Sequence, residues 1–346
     1  MLKALRLRFP RSSYIVSPTY DWIAFILAPL IALSLGTAIA YGIIPNQKIT
    51  IGRFSGELWW YVVLVMTQSH LILTLIRAYG NTQIFSLFKK RFLLGPPILF
   101  ACNYFSPVFL TAFLVINVFW DAYHSASQTF GFTRLYDIRI GNYSTKMRFL
   151  DRCLNILIYV GPILGGLTLI EHIDLMKEGL LINHVFFTHV PFYADFFSRD
   201  ILILILIFTA FFMPYYVYSA WKASKSFPVS FQKVILLTTT AVVSILAWGF
   251  NTFGAAFLIM NFFHVWQYFA MIYWSEKPVM MKQFNLTNFS AVLLIVSIIV
   301  FFVMITAVLE IITVGYHLLA VFFCTINTCH FWFDGFIWSV KKKHIK

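Results

Sequence analysis

Apolar residues run through this chain in long unbroken stretches, neither alternating with polar ones nor confined to one helical stripe. Each stretch is roughly 15–25 residues, the length a helix needs to cross lipid. Ten spans can be drawn: Trp22–Ile44, Glu57–Arg77, Phe92–Pro107, Val108–Gly131, Cys153–Ile170, Ile201–Trp221, Val234–Trp248, Phe253–Trp274, Phe289–Leu309 and Val314–Trp338. The pattern predicts an all-α, polytopic transmembrane bundle, because helices satisfy their own backbone polar groups in lipid. A membrane barrel would alternate apolar and polar positions, so it is excluded. The third span carries Pro96 and Pro97 and predicts a tilted or broken helix. Between the seventh and eighth, "GFNTFG" predicts a tight turn.

Composition agrees: 60% of the 346 residues are hydrophobic and 11% charged, against about 25% charged in soluble domains. No stretch has the makings of a separate water-soluble core, so a single integral membrane domain over 1–346 is expected, with short basic termini at 1–21 and 339–346. The N-terminal "MLKALRLRFPRSSY" precedes a full-length span and lacks a small-residue cleavage site, which predicts a lead-in rather than a signal peptide.

The net charge of +13 changes the picture only through its distribution. With the N-terminus inside, 21 Lys and Arg fall in inner segments and only Lys48, Arg53, Lys177 and Arg199 in outer ones. This bias predicts both termini on the cytoplasmic side of the cell inner (plasma) membrane. Basic residues in short loops do not make a nucleic-acid-binding surface, so that class is excluded. The four cysteines show no CxxC spacing and read as small core residues. The longest outer loop, about 171–200, carries His172, His184 and His189.

Ionisable residues inside spans are rare and mark function, and here they cluster. The second span reads "MTQSHLILTLIRAYG" with His70 and Arg77; the fourth, "NVFWDAYHSASQTFGFTRLYD", has Asp121, His124 and Gln128. The eighth, "MNFFHVWQYFAMIYW", has His264 and Gln267, and the tenth, "INTCHFWFDGFIW", has His330 and Asp334. All four spans are even-numbered and so run in one direction. At 1.5 Å per residue their histidines agree in depth to roughly 8 Å. His70, His124, His264 and His330 are therefore candidate metal ligands. Asp121, Asp334, Gln128 and Gln267 stand one helical turn from a histidine, where they can orient an imidazole, relay protons or ligate directly. Trp120, Tyr123, Phe130, Trp266, Tyr268, Phe331 and Trp332 predict a large, apolar, aromatic-walled cavity. Each piece also has a plainer role. A membrane histidine can simply bond helices together, and Asp334 and Arg77 stand near helix ends, from which they can snorkel to the headgroups.

Imidazole suits iron, zinc, copper and nickel. The HExxH of metalloproteases, the HxxxH and HxxHH pattern of membrane hydroxylases and desaturases, and the ExxH pair of di-iron bundles are missing. One histidine per helix at one depth leaves room for a single haem at most. The expected cofactor is Fe(II), with a single haem or another transition metal as alternatives. Size, span number and the histidine layer resemble the Brp/Blh-type β-carotene dioxygenases, although that family's His–Gly and downstream Asp signature has no match here. The blocks "TQSHLILTLIRAYG", "YHSASQTFGFTRLYD", "HVWQY" and "HFWFDGFIW" resemble those of bacterial polytopic membrane proteins ending in H-aromatic-x-x-D-x-x-I-W. The resemblance to the dioxygenases implies iron-dependent oxidation of a lipid or isoprenoid/carotenoid-like apolar substrate in the bilayer. It does not specify an electron donor. A proton-coupled transporter built on the same polar cluster, or a non-catalytic membrane assembly protein, are the alternatives.

Overall fold

The computed structural model describes residues 7–8, 13–51, 54–166, 185–251, 253–287 and 316–338. The ninth expected span, Phe289–Leu309, and residues 171–184 of the expected outer loop, with His172 and His184, lie outside them. Among the described residues the chain is all-α apart from two short strand pairs. β1 (Leu7–Arg8) lies parallel to β4 (Val229–Ser230), and β2 (Lys48–Ile51) forms an antiparallel hairpin with β3 (Phe54–Glu57). Among the described residues, five helical segments are long and apolar enough to cross a membrane: Tyr61–Gly80, Pro107–Arg139, Ser198–Ser224, Phe231–Phe250 and Ala255–Gln283.

The first expected span is bent rather than continuous. α1 (Pro18–Asp21) runs into a π-helical turn (Trp22–Ile26), and α2 (Ala28–Ala40) follows at 52°. The bend falls where Pro29 opens α2, since proline has no N–H to donate and its ring crowds the carbonyl four residues back. α1 starts cleanly because Ser17 Oγ accepts from Tyr20 N and Pro18 stands at its first position.

α3 (Leu58–Leu75) ends in a second π-helical turn (Ile76–Gly80), after which α4 (Thr82–Phe105) begins under Asn81. The expected break at Pro96–Pro97 does not occur. Both prolines lie inside α4, and the non-helical residue is Phe88 (φ −125°, ψ 19°). Pro96 cannot donate to the Phe92 carbonyl, and Tyr79 Oη donates to that oxygen instead at 2.6 Å. α5 (Pro107–Arg139) follows after Ser106, and Gly141, at φ 80°, allows the sharp turn into α6 (Thr145–Gly165). α7 (Val185–Ser224), α8 (Phe231–Phe250), α9 (Phe253–Phe284) and α10 (Tyr316–Ile337) complete the described chain. "GFNTFG" does separate α8 from α9, and most helices extend beyond the apolar stretches that announced them.

Two compact units are formed, one from residues 1–41 and 122–264, the other from 42–121 and 265–346. In the first, α6 packs on α7 and α8, and α2 packs on α8. In the second, α10 packs on α4 and α3, around a core of Ala78, Ile84, Phe92, Cys329, Phe333 and Ile337.

Candidate functional site

The second unit brings two of the expected histidines together. His70 on α3 and His330 on α10 are both buried, with ring centres 4.6 Å apart and planes at 83°. His70 Nδ1 lies 2.5 Å from the Thr67 carbonyl oxygen. A carbonyl only accepts, so this nitrogen carries the proton and Nε2 the lone pair. His330 Nδ1 lies 2.6 Å from Thr74 Oγ1, and Thr74 Oγ1 lies 2.5 Å from Tyr268 Oη. Asp334 Oδ1 then accepts from Tyr268 Oη at 3.1 Å, from Trp338 Nε1 at 3.2 Å and from Thr74 Oγ1 at 3.3 Å. The direct approach of Asp334 Oδ2 to His330 Nε2 is 3.8 Å, outside hydrogen-bond range. Asp334 thus connects to His330 through Thr74 and Tyr268.

One turn further along α3, the π-helical turn presents Arg77 to Glu276 of α9, and both side chains are almost fully buried. Arg77 also donates to the Ile337 carbonyl at 3.3 Å and lies over the Trp338 ring, 4.0 Å from its centre. Asn81 Nδ2 donates to Glu276 Oε2 at 3.0 Å. Arg77 therefore does not snorkel; a buried carboxylate holds it inside the unit. Of the aromatic residues expected to wall a cavity, Phe331 packs 5.5 Å from His330 and 6.0 Å from Trp120, whereas Tyr123 and Trp266 are exposed.

The first unit pairs the other two histidines. His124 on α5 and His264 on α9 are buried, with ring centres 5.1 Å apart and planes at 78°. Gln128 Nε2 donates to the His264 backbone carbonyl at 2.9 Å, which ties α5 to α9 beside the pair. Gln267, one turn after His264, is fully buried. Asp121, one turn before His124 on α5, is partly exposed and has no hydrogen-bond or ion-pair partner among the described residues.

Three groups of consequence were not singled out from the sequence, and Tyr268 was read only as part of the aromatic surrounding. Thr74 and Tyr268 join His330 to Asp334, and Glu276 neutralises Arg77. In the first unit, Lys233 Nζ lies 2.5 Å from Asp151 Oδ2 and 3.0 Å from Asp137 Oδ2, all three buried. Arg134 adds a contact to Asp137 at 2.9 Å, and Tyr216 Oη donates to Asp151 Oδ1 at 2.7 Å. A usable signal existed for Thr74, which stands four residues after His70 on the same helical face. No protein-family model, no curated protein and no solved structure matches the chain, so the reading of these residues rests on their geometry and chemistry.

Proposed function

We propose that the chain is a membrane-embedded, metal-dependent oxidoreductase of the oxygenase type. In this reading it has ten spans and cytoplasmic termini in the inner (plasma) membrane. Its imidazole donors to Fe(II) are His70 with His330 and His124 with His264, and its substrate is an apolar lipid or isoprenoid. The observation that carries the reading is the pairing of buried, edge-on histidines within each unit. With metal–nitrogen bonds of about 2.1 Å, two imidazoles at right-angled to tetrahedral positions on one ion have ring centres roughly 4.6–5.3 Å apart. The observed separations are 4.6 and 5.1 Å.

Buried imidazoles in an apolar setting suit iron among other transition metals, and the bound metal would supply the redox chemistry. The protein's part is to orient the rings and keep water away. Thr67 fixes His70 through its carbonyl, Thr74 fixes His330, and Phe331 and Trp120 give the apolar flank. Protein purified without a polyhistidine tag is expected to hold stoichiometric iron, and each of the four His→Ala variants is expected to lose it. Metal-free wild-type protein with full activity on its substrate overturns the reading. One observation favours a second reading, a proton-coupled transporter. The buried Asp137–Lys233–Asp151 group is the kind of acid–base line that membrane carriers use, and pH-driven solute flux in liposomes, abolished by Lys233→Met, would support it.

A further inference from the structure

α9 changes character towards its end. From Ala255 to Gln283 it is long and apolar enough to cross a membrane, yet its last turns carry Lys277 and Lys282 close after Tyr273 and Trp274. Aromatic rings followed by lysines mark the level at which a helix leaves lipid and meets the headgroups. The acid of this stretch, Glu276, is turned inward: it is buried, and Arg77 and Asn81 hold it. Its charge therefore does not offset the lysines. Lys282 is exposed and Lys277 partly so, and neither has an acidic partner among the described residues.

Lys277 is held in place. Its ammonium donates to Tyr273 Oη at 2.7 Å and lies 4.7 Å from the centre of that ring. Just past α9 the chain doubles back. Asn285 takes φ 52°, the left-handed conformation that asparagine tolerates better than most residues, and Leu286 N donates to the Met281 carbonyl at 3.0 Å. The last turns and this reversal form a surface groove of about 620 Å³. It is lined by apolar Pro278, Met281 and Leu286, by Tyr273 and Trp274, and by both lysines. The volume is that of a small-molecule site.

We propose that this groove binds the headgroup of an anionic phospholipid. Two uncompensated ammonium groups match the charge of a phosphodiester, and the apolar wall matches the ester and first chain carbons beneath it. A soluble anion would use the lysines alone. The groove stands where a membrane-crossing helix ends, so a lipid reaches it without leaving the bilayer. The inference needs α9 to cross the membrane and is independent of the metal reading.

The test uses the full-length protein in neutral detergent. Native mass spectrometry counts bound lipid while phosphatidylglycerol or phosphatidylcholine of identical acyl chains is titrated in. Phosphatidylglycerol is expected to bind about 30-fold more tightly, from about 5-fold for each lysine near an anionic headgroup. Lys277→Gln with Lys282→Gln is expected to abolish that preference, and Lys277→Arg with Lys282→Arg to keep it. Met281→Trp fills the groove at constant charge and is expected to weaken phosphatidylglycerol binding about 5-fold or more, the scale of overfilling a packed site. Lys222→Gln with Lys225→Gln, an equal charge change at exposed lysines of the other unit, is expected to leave the preference intact. Equal affinity of the wild type for the two lipids overturns the proposal. So does a preference that survives Lys277→Gln with Lys282→Gln, or one that is lost equally in the control pair. Unchanged binding by Met281→Trp overturns the groove as the site, and displacement of the lipid by an equal concentration of inorganic phosphate overturns the lipid as its occupant.

Discussion

Replacing Glu276 by leucine tests how far the second unit depends on a buried charge pair. Arg77 is 2% exposed and Glu276 1%, so neither charge has water to turn to once its partner is gone. Breaking such a pair from one side costs about 3–5 kcal/mol, because the remaining charge stays buried. Arg77 retains the Ile337 carbonyl at 3.3 Å and the Trp338 ring at 4.0 Å. These contacts, about 1 kcal/mol for the hydrogen bond and up to about 2 kcal/mol for the cation–π contact, already exist in the wild type and are not a gain. The expected loss for Glu276→Leu is therefore about 3 kcal/mol or more, a large part of the 5–15 kcal/mol typical of a folded domain. Arg77→Met combined with Glu276→Leu removes both charges and should return to within about 1 kcal/mol of wild type. Denaturant titration of the purified protein in mixed micelles, followed by tryptophan fluorescence, reads the four corners of the cycle. A single-variant loss below about 1 kcal/mol, or a double variant no better than the worse single one, refutes the argument.

The histidine pair gives a metal prediction with an internal control. His70→Ala and His330→Ala should lower bound iron, measured by elemental analysis, whereas His317→Ala should not, since His317 is exposed and bonded to the Tyr104 carbonyl at 3.1 Å. Lys233→Met strands Asp137 and Asp151 in the first unit and should lower unfolding stability by about 3–5 kcal/mol. Lys146→Met, which removes an ammonium lying 5.0 Å from the ring centre of exposed Tyr215, should change it by less than about 1 kcal/mol. Gly95→Ala places a methyl 2.5 Å from Trp332 Cζ3, where α4 packs on α10. Thermal unfolding should detect a loss of about 1–3 kcal/mol as the ring is displaced.

The apolar runs were enough to read the helical class and the order of elements, because lipid leaves the backbone few other options. They were a poor guide to where helices end. Once a helix leaves the apolar stretch its continuation depends on caps and packing, and α9 runs on past Trp274 to Phe284. Glu276 was hidden for that reason: in the sequence it sits in a charged inner loop, and in the fold it is a buried partner of Arg77. Lys233 was hidden in the same way. It counts toward the inner-loop charge, yet it stands in the first turn of α8 under the Ser230 cap, where its ammonium meets two carboxylates from other helices. The site was legible in its histidines, which are conspicuous in apolar surroundings. The hydroxyls that orient them were not, since threonine and tyrosine are common in membrane helices and only the packing of α3, α9 and α10 shows which ones matter. The continuity of α4 through two prolines was likewise out of reach, because the donor that replaces the missing bond is Tyr79, thirteen residues earlier.

Asn81 does two jobs with the two ends of one amide. Its oxygen accepts from Gln83 N and Ile84 N and so starts α4, while its nitrogen donates to Glu276. The other good cap residues each fail at one end. Aspartate keeps the cap but sets a second carboxylate against Glu276, and serine or threonine keeps the cap without reaching the acid with a donor. The position therefore couples two events that look separate, the winding of α4 and the neutralisation of Arg77. A substitution chosen only for helix propensity would loosen an ion pair on another helix, and loss of the ion pair would let the first turn of α4 fray.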